Sequence, residues 1–137
     1  MSKISKVTLR ERRTEKDISI LEAYINDDGD LVLEGYDAGE APKQFWGDDD
    51  YEYVRVIKGK HKDKILSGLI EEQFDAKSDF KAWLDSKDIP HGNSRLIKDK
   101  YRDTIMLLLL KEQFDTDSKF KTWLDGKGIP SEFWNWV

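Results

Sequence analysis

Three observations predict an α+β protein: strand-like runs punctuated by turn residues in the first half, a switch to helical periodicity from His61 onward, and a 27-residue segment that occurs twice, at 64–90 and 104–130. The expected architecture is a small antiparallel sheet of three to four strands with a short helix, followed by a four-helix region made of two duplicated helix-pair units. The sheet lobe is expected over 1–60 and the helical lobe over 61–137, packed as one compact domain, since 137 residues suffice for one sizeable core.

In the sheet lobe, Ile18–Ile25 and Leu31–Tyr36 flank Asn26-Asp27-Asp28-Gly29-Asp30, a hairpin signal. A type I turn over Asp27 and Asp28 with Gly29 as a left-handed bulge pairs Ile25 with Leu31 and Ala23 with Leu33. It puts Leu21, Ala23, Ile25, Leu31 and Leu33 on one face. The same pairing sets Glu22 opposite Glu34 on the other face. Burying an aliphatic side chain is worth about 1.5–3 kcal/mol and an exposed like-charge pair costs a few tenths, so the bulged turn wins over a two-residue turn. Pro42 and Gly47 bracket a short helix around 40–46. Tyr51–Ile57 alternates as a strand, and a weaker strand is expected at about 4–9.

The helical lobe is a duplication. At an offset of 40, fifteen of 27 positions are identical, among them Phe74/Phe114, Asp75/Asp115, Phe80/Phe120, Trp83/Trp123, Leu84/Leu124, Ile89/Ile129 and Pro90/Pro130. Each copy reads as a helix ending near the first Phe, a turn in which Asp75 or Asp115 caps the next helix, and a second helix stopped by Ile-Pro. In the second helix Phe, Trp and Leu fall at i, i+3 and i+4, one apolar stripe. Ser67, Gly68 and Glu71 of copy one become Leu107, Leu108 and Lys111 in copy two. The helix of copy two, roughly 94–114, is therefore apolar nearly all round and expected at the centre, while copy one keeps a solvated polar face. Two copies with a sheet argue against a solenoid, which needs three or more.

The segment from Glu22 to Asp37, the Phe45-Trp46-Gly47-Asp48 and Tyr51-Glu52-Tyr53 stretch, and the ending Gly128-Ile129-Pro130-Ser131-Glu132-Phe133-Trp134 resemble a set of small uncharacterised bacterial proteins of unknown function. The resemblance covers most of the chain beyond residue 16 and implies a bacterial or phage origin. It carries over no functional residue. Those proteins have one helical unit, so the second unit is a departure from them.

Composition bounds the function. There is no cysteine, which removes disulfides, thiolate nucleophiles and sulfur-held metals and suits a reducing cytoplasm. The longest fully apolar run, Ile105–Leu110, is far short of the roughly 20 residues that span a bilayer, and no signal-peptide core is present, so a cytoplasmic protein without a membrane partner is expected. The net charge of −5 is uneven: 17–52 carries twelve acids against Lys43, whereas 1–16 and 53–64 are basic.

Two acidic clusters, Asp27, Asp28 and Asp30, and Asp48, Asp49 and Asp50, are the first candidates for a site. As turn-formers they need no function. Converging at one end of a sheet, they would offer oxygen ligands to a hard cation, which would make a metal-dependent hydrolase the alternative reading. The spacing of a calcium loop is absent: with Gly29 as its glycine, Gly35 stands where the last Glu belongs. His61 and His91 lack a third ligand and read as surface residues. Lys58–Lys62 is not a phosphate loop, and with Arg10, Arg12 and Arg13 it offers only a short basic patch, so nucleic acid is not the expected partner. No catalytic motif appears, and neither catalytic residues, metal ligands nor a cofactor are expected. Trp134 and Trp136 either cap the helical core or stay exposed as anchors for a partner. The expected function is a non-catalytic protein-binding module whose acidic surface, Asp27, Asp28, Asp30, Asp48, Asp49 and Asp50, meets a protein partner together with Trp134 and Trp136, in the manner of an inhibitor or immunity-type protein; the alternatives are a metal-dependent hydrolase on the acidic loops and a nucleic-acid-binding protein.

Overall fold

The computed structural model describes residues 5–39, 50–92 and 97–136. Strands β1 (Lys6–Arg13), β2 (Asp17–Ile25), β3 (Leu31–Gly39), β4 (Asp50–Ile57) and β5 (Glu132–Trp136) form one antiparallel sheet in that order. Between β4 and β5 come helices α1 (Lys62–Gln73), α2 (Lys77–Ser86), α3 (Arg102–Gln113) and α4 (Asp117–Gly126). The sheet thus has five strands instead of three to four. The additional one is formed by the C-terminal aromatic segment, read from the sequence as part of the helical lobe. The short helix expected around 40–46 lies outside the described residues.

The hairpin forms in the bulged register. Gly29 sits at φ +81°, its N–H bonds to the Asn26 carbonyl, and Ile25, Ala23 and Glu22 face Leu31, Leu33 and Glu34. The Asn26 side chain accepts from the N–H groups of Asp28 and Asp30 and fixes the turn. The Glu22/Glu34 juxtaposition is eased by Lys6, 3.3 Å from Glu22, and by the Tyr24 hydroxyl donating to Glu34 at 3.2 Å. β1 extends to Arg13 and is bulged between Thr8 and Arg10. The extra residue lets Val7, Leu9 and Arg10 all face the helices, which strict alternation forbids.

Val7, Leu9, Leu21, Ala23, Leu31, Leu33, Tyr51, Tyr53 and Ile57 form the sheet side of one continuous core. Its other side is α3, whose Ile105, Met106, Leu107, Leu109 and Leu110 are buried. α3 runs through the centre as its composition predicts, packed on β1 and β2 and on α1. It starts at Arg102 behind a 3-10 turn (Asp99–Tyr101), later than the expected 94.

The two helix pairs meet as a near-twofold pair, each copy donating to the other. The Trp83 indole N–H donates to Glu112 at 3.1 Å and that of Trp123 to Glu72 at 2.8 Å. Lys62 pairs with Asp103 and Arg102 with Asp63, so the repeat continues upstream as exchanged charges. Gln73 donates to Gln113, which donates to Glu72. Burial pushes the Glu72 carboxyl up, but the bonds from Lys127, Gln113 and Trp123 outweigh it and hold the group below its usual 4.5.

Two expectations are corrected. The polar face of copy one is not wholly solvated: Ser67 is exposed, but Gly68 is buried beneath Trp123, where a Cβ would lie 2.9 Å from the ring. Glycine at 68 is what lets the indole of copy two come that close. Nor do Asp75 and Asp115 cap the following helices. The caps are Ala76, with no side-chain bond, and Thr116, whose hydroxyl accepts from the Lys119 N–H at 3.2 Å. Both second helices end through a left-handed residue, Asp88 at φ 56° or Gly128 at φ 69°, and the next N–H, of Ile89 or Ile129, bonds to Leu84 or Leu124. Pro90 and Pro130 then bar any continuation.

Candidate functional site

Alternation along the strands gives the sheet two unlike faces. One meets the helices. On the other, opposite in direction to Leu21, Leu33 and Tyr53, stand Ile20, Glu22, Glu34, Tyr36, Glu52 and Val54. β5 adds Trp134 opposite Val54 and Trp136 opposite Glu52 on this outer face. None of the described helices packs there. A hollow of about 600 Å³ opens on it, lined by Ile20, Glu22, Glu34, Tyr36, Glu52 and Trp136. Three carboxylates from adjacent strands therefore share a floor with aromatic rings.

β5 is held from its inner face. Arg55 lies 4.9 Å from the Phe133 ring, Tyr53 packs on the same ring at 6.1 Å, and the Asn135 side chain donates to the Tyr51 hydroxyl at 3.3 Å. Burial, with the Asp37 carboxylate nearby, raises the Tyr53 pKa and keeps this phenol neutral. Fixing Phe133 and Asn135 inward turns Trp134 and Trp136 outward, where they are 48% and 57% exposed. They do not cap the helical core: their main chain pairs with β4, while their indole rings make no ring contact or side-chain hydrogen bond with the described residues. Sequence alternation within Phe133–Trp136 carried this signal; it was masked by proximity to the helical repeat.

The acidic candidates part company. Asp27 and Asp28 are exposed at the hairpin turn. Asp30 is buried and structural: its carboxylate accepts from the Gly59 N–H at 2.7 Å and lies 3.7 Å from Lys58. Asp50 opens β4 opposite Ala38, at the far end of β3 from that turn, about 26 Å away at 3.3 Å per residue. Asp48 and Asp49 lie outside the described residues. The turn and Asp50 therefore do not converge on one cation, as the hydrolase reading required. Among the described residues, no group of three His, Asp or Glu side chains has the arrangement of a metal site.

The basic residues are similarly divided. Arg12 and Arg13 are at the Asp17 end of β1, whereas Lys58–Lys64 follow Ile57 at the other end of the sheet, beside Asp30. Two arginines turn out to be structural. Arg10 bridges Ser19 and the Asp115 carbonyl, at 3.0 and 2.8 Å. Arg55, 5% exposed, grips Asp117 through two bonds of 2.8 and 2.9 Å and donates to Ser131. His91 is bonded to Asp85 at 2.8 Å, and His61 sits in the turn before α1. No described helix is long and apolar enough to cross a membrane. Compared with protein families, with curated proteins and with solved structures, the chain finds no match in any of the three.

Proposed function

We propose that this protein is a small cytoplasmic, non-catalytic binding module that takes a basic partner protein on the outer face of its sheet. An inhibitor or immunity-type protein acting on a toxin or nuclease has this form. One observation carries the reading: Glu22, Glu34 and Glu52 lie beside Trp134, Trp136 and Tyr36 on a sheet face that no described helix covers. Carboxylates and aromatic faces attract the same side chains. A Lys or Arg over an exposed indole gains about 0.5–1 kcal/mol, and about 2 once water is excluded. The neighbouring glutamates add charge complementarity, which speeds encounter and selects against acidic partners. Relative to the sequence expectation, the acidic surface moves from the loops to the strands.

The test uses the exposed tryptophans as reporters. Short poly-lysine titrated at low salt should change their fluorescence with a salt-sensitive affinity, and the triple variant Glu22→Lys, Glu34→Lys, Glu52→Lys should lose the response. Asp27→Lys with Asp28→Lys should leave it intact. Equal binding by the triple variant, or loss only in the hairpin-turn variant, would sink the proposal.

A further inference from the structure

The two edges of the sheet are built differently. β1, at one edge, carries Lys6, Arg10, Glu11, Arg12 and Arg13 and is broken by its bulge. Charges and bulges are what keep an edge from pairing with another chain. β5, at the other edge, reads Glu-Phe-Trp-Asn-Trp, pairs with β4 without a break, and has one charge, at its start. Among the described residues its second edge has no strand beside it. An unguarded edge of this kind is a template for one more strand.

We infer that an extended segment of a basic partner adds to the sheet at β5 as a sixth strand. This rests on the reading of the outer face as the surface for a basic protein, and it specifies how such a partner is held. Side chains of an added strand alternate between the faces. Those on the outer face stand beside Trp134 and Trp136, with Glu52 on the next strand and Glu132 at the start of β5. Those on the inner face stand beside Phe133, whose ring is 42% exposed. The recognised sequence therefore alternates cationic and apolar residues, with main-chain hydrogen bonds supplying affinity and alternate side chains supplying specificity.

The probe is a synthetic peptide alternating Lys and Val, compared with two versions in which either the lysine amides or the valine amides are N-methylated. In a strand, successive residues direct their main-chain groups to opposite edges, so only one of the two sets faces β5. The expected result is that one methylated peptide binds at least about tenfold more weakly and the other binds as the parent does. A helical Lys and Ala peptide of equal charge should bind more weakly than the parent. Equal affinity of both methylated peptides with the parent, or equal loss in both, would overturn strand addition. If the Glu22/Glu34/Glu52 triple variant nevertheless loses the parent peptide, the acidic face stands while the strand does not. Unchanged binding of the parent peptide by that variant removes both. A stable dimer of the unliganded protein in sedimentation that the peptide fails to dissociate would put a second copy of the chain on β5 and also overturn the proposal.

Discussion

Phe74, Phe80 and Trp83 in copy one, and Phe114, Phe120 and Trp123 in copy two, hold their rings at 5.1, 5.8 and 6.1 Å against 5.2, 5.7 and 6.0 Å. What each triad packs against is different. In copy two the sheet closes over the turn between the helices, through Arg10 on the Asp115 carbonyl and Arg55 on Asp117. In copy one the matching turn borders an open groove of about 470 Å³, lined by Ile70, Phe74, Lys77, Phe80, Ile97 and Arg102. Lys77 stands where copy two has Asp117, so copy one cannot accept Arg55 as its twin does. The same local unit thus serves as a sheet support in one place and as an outer layer in the other. Local geometry follows the shared residues, and placement follows the few that differ.

Deleting the same ring in each copy should separate the two most. Phe120→Ala should cost about 3–5 kcal/mol in urea denaturation, because its cavity is enclosed on all sides; Phe80→Ala, beside the groove, should fall at or below the lower end of that range. Equal losses would mean that the sheet adds nothing to the second copy. Arg55→Met should cost about 3 kcal/mol by leaving Asp117 as an unpaired carboxylate against the sheet, and the added change Asp117→Leu should recover much of it. Failure of that rescue would show that the pair is needed for more than mutual neutralisation.

Finer differences follow. Gly68→Leu should destabilise by about 1–3 kcal/mol as the leucine displaces Trp123, whereas Ser67→Leu, one residue away and exposed, should stay within about 0.5 kcal/mol. Asp88→Gly should stabilise by roughly 0.5–1 kcal/mol, bringing copy one's left-handed stop into line with Gly128 of copy two. The smallest effect is read by pH. Because the folded-state pKa of Glu72 is held down, its contribution is complete above its unfolded value of 4.5 and fades as the pH falls through the folded value. The stability difference between the wild type and Glu72→Gln should therefore shrink on acidification below about pH 4. A difference that is flat with pH would show that the carboxylate's charge is not what binds Lys127 and Trp123.

By itself the sequence determined whatever depends on neighbours along the chain. The register of β2 and β3 follows from Asn26 through Asp30, because turn chemistry and a two-residue period leave one arrangement that buries the aliphatics. The helix pairs, their Phe and Trp stripes and their Ile-Pro stops were legible for the same reason, as was the central position of a helix apolar nearly all round. Tertiary structure decided the rest. Arg55 and Asp117 are 62 residues apart, and nothing local distinguishes a buried arginine from a surface one. Gly68 reads as a polar gap until Trp123 is seen to fill it. The candidate site depended most on the fold, since Glu22, Glu34 and Glu52 share a face with Trp134 and Trp136 only once the chain's last strand pairs with β4. Hydrogen bonding between strands is indifferent to distance in sequence, so periodicity settles which residues share a side but not which strand lies beside it.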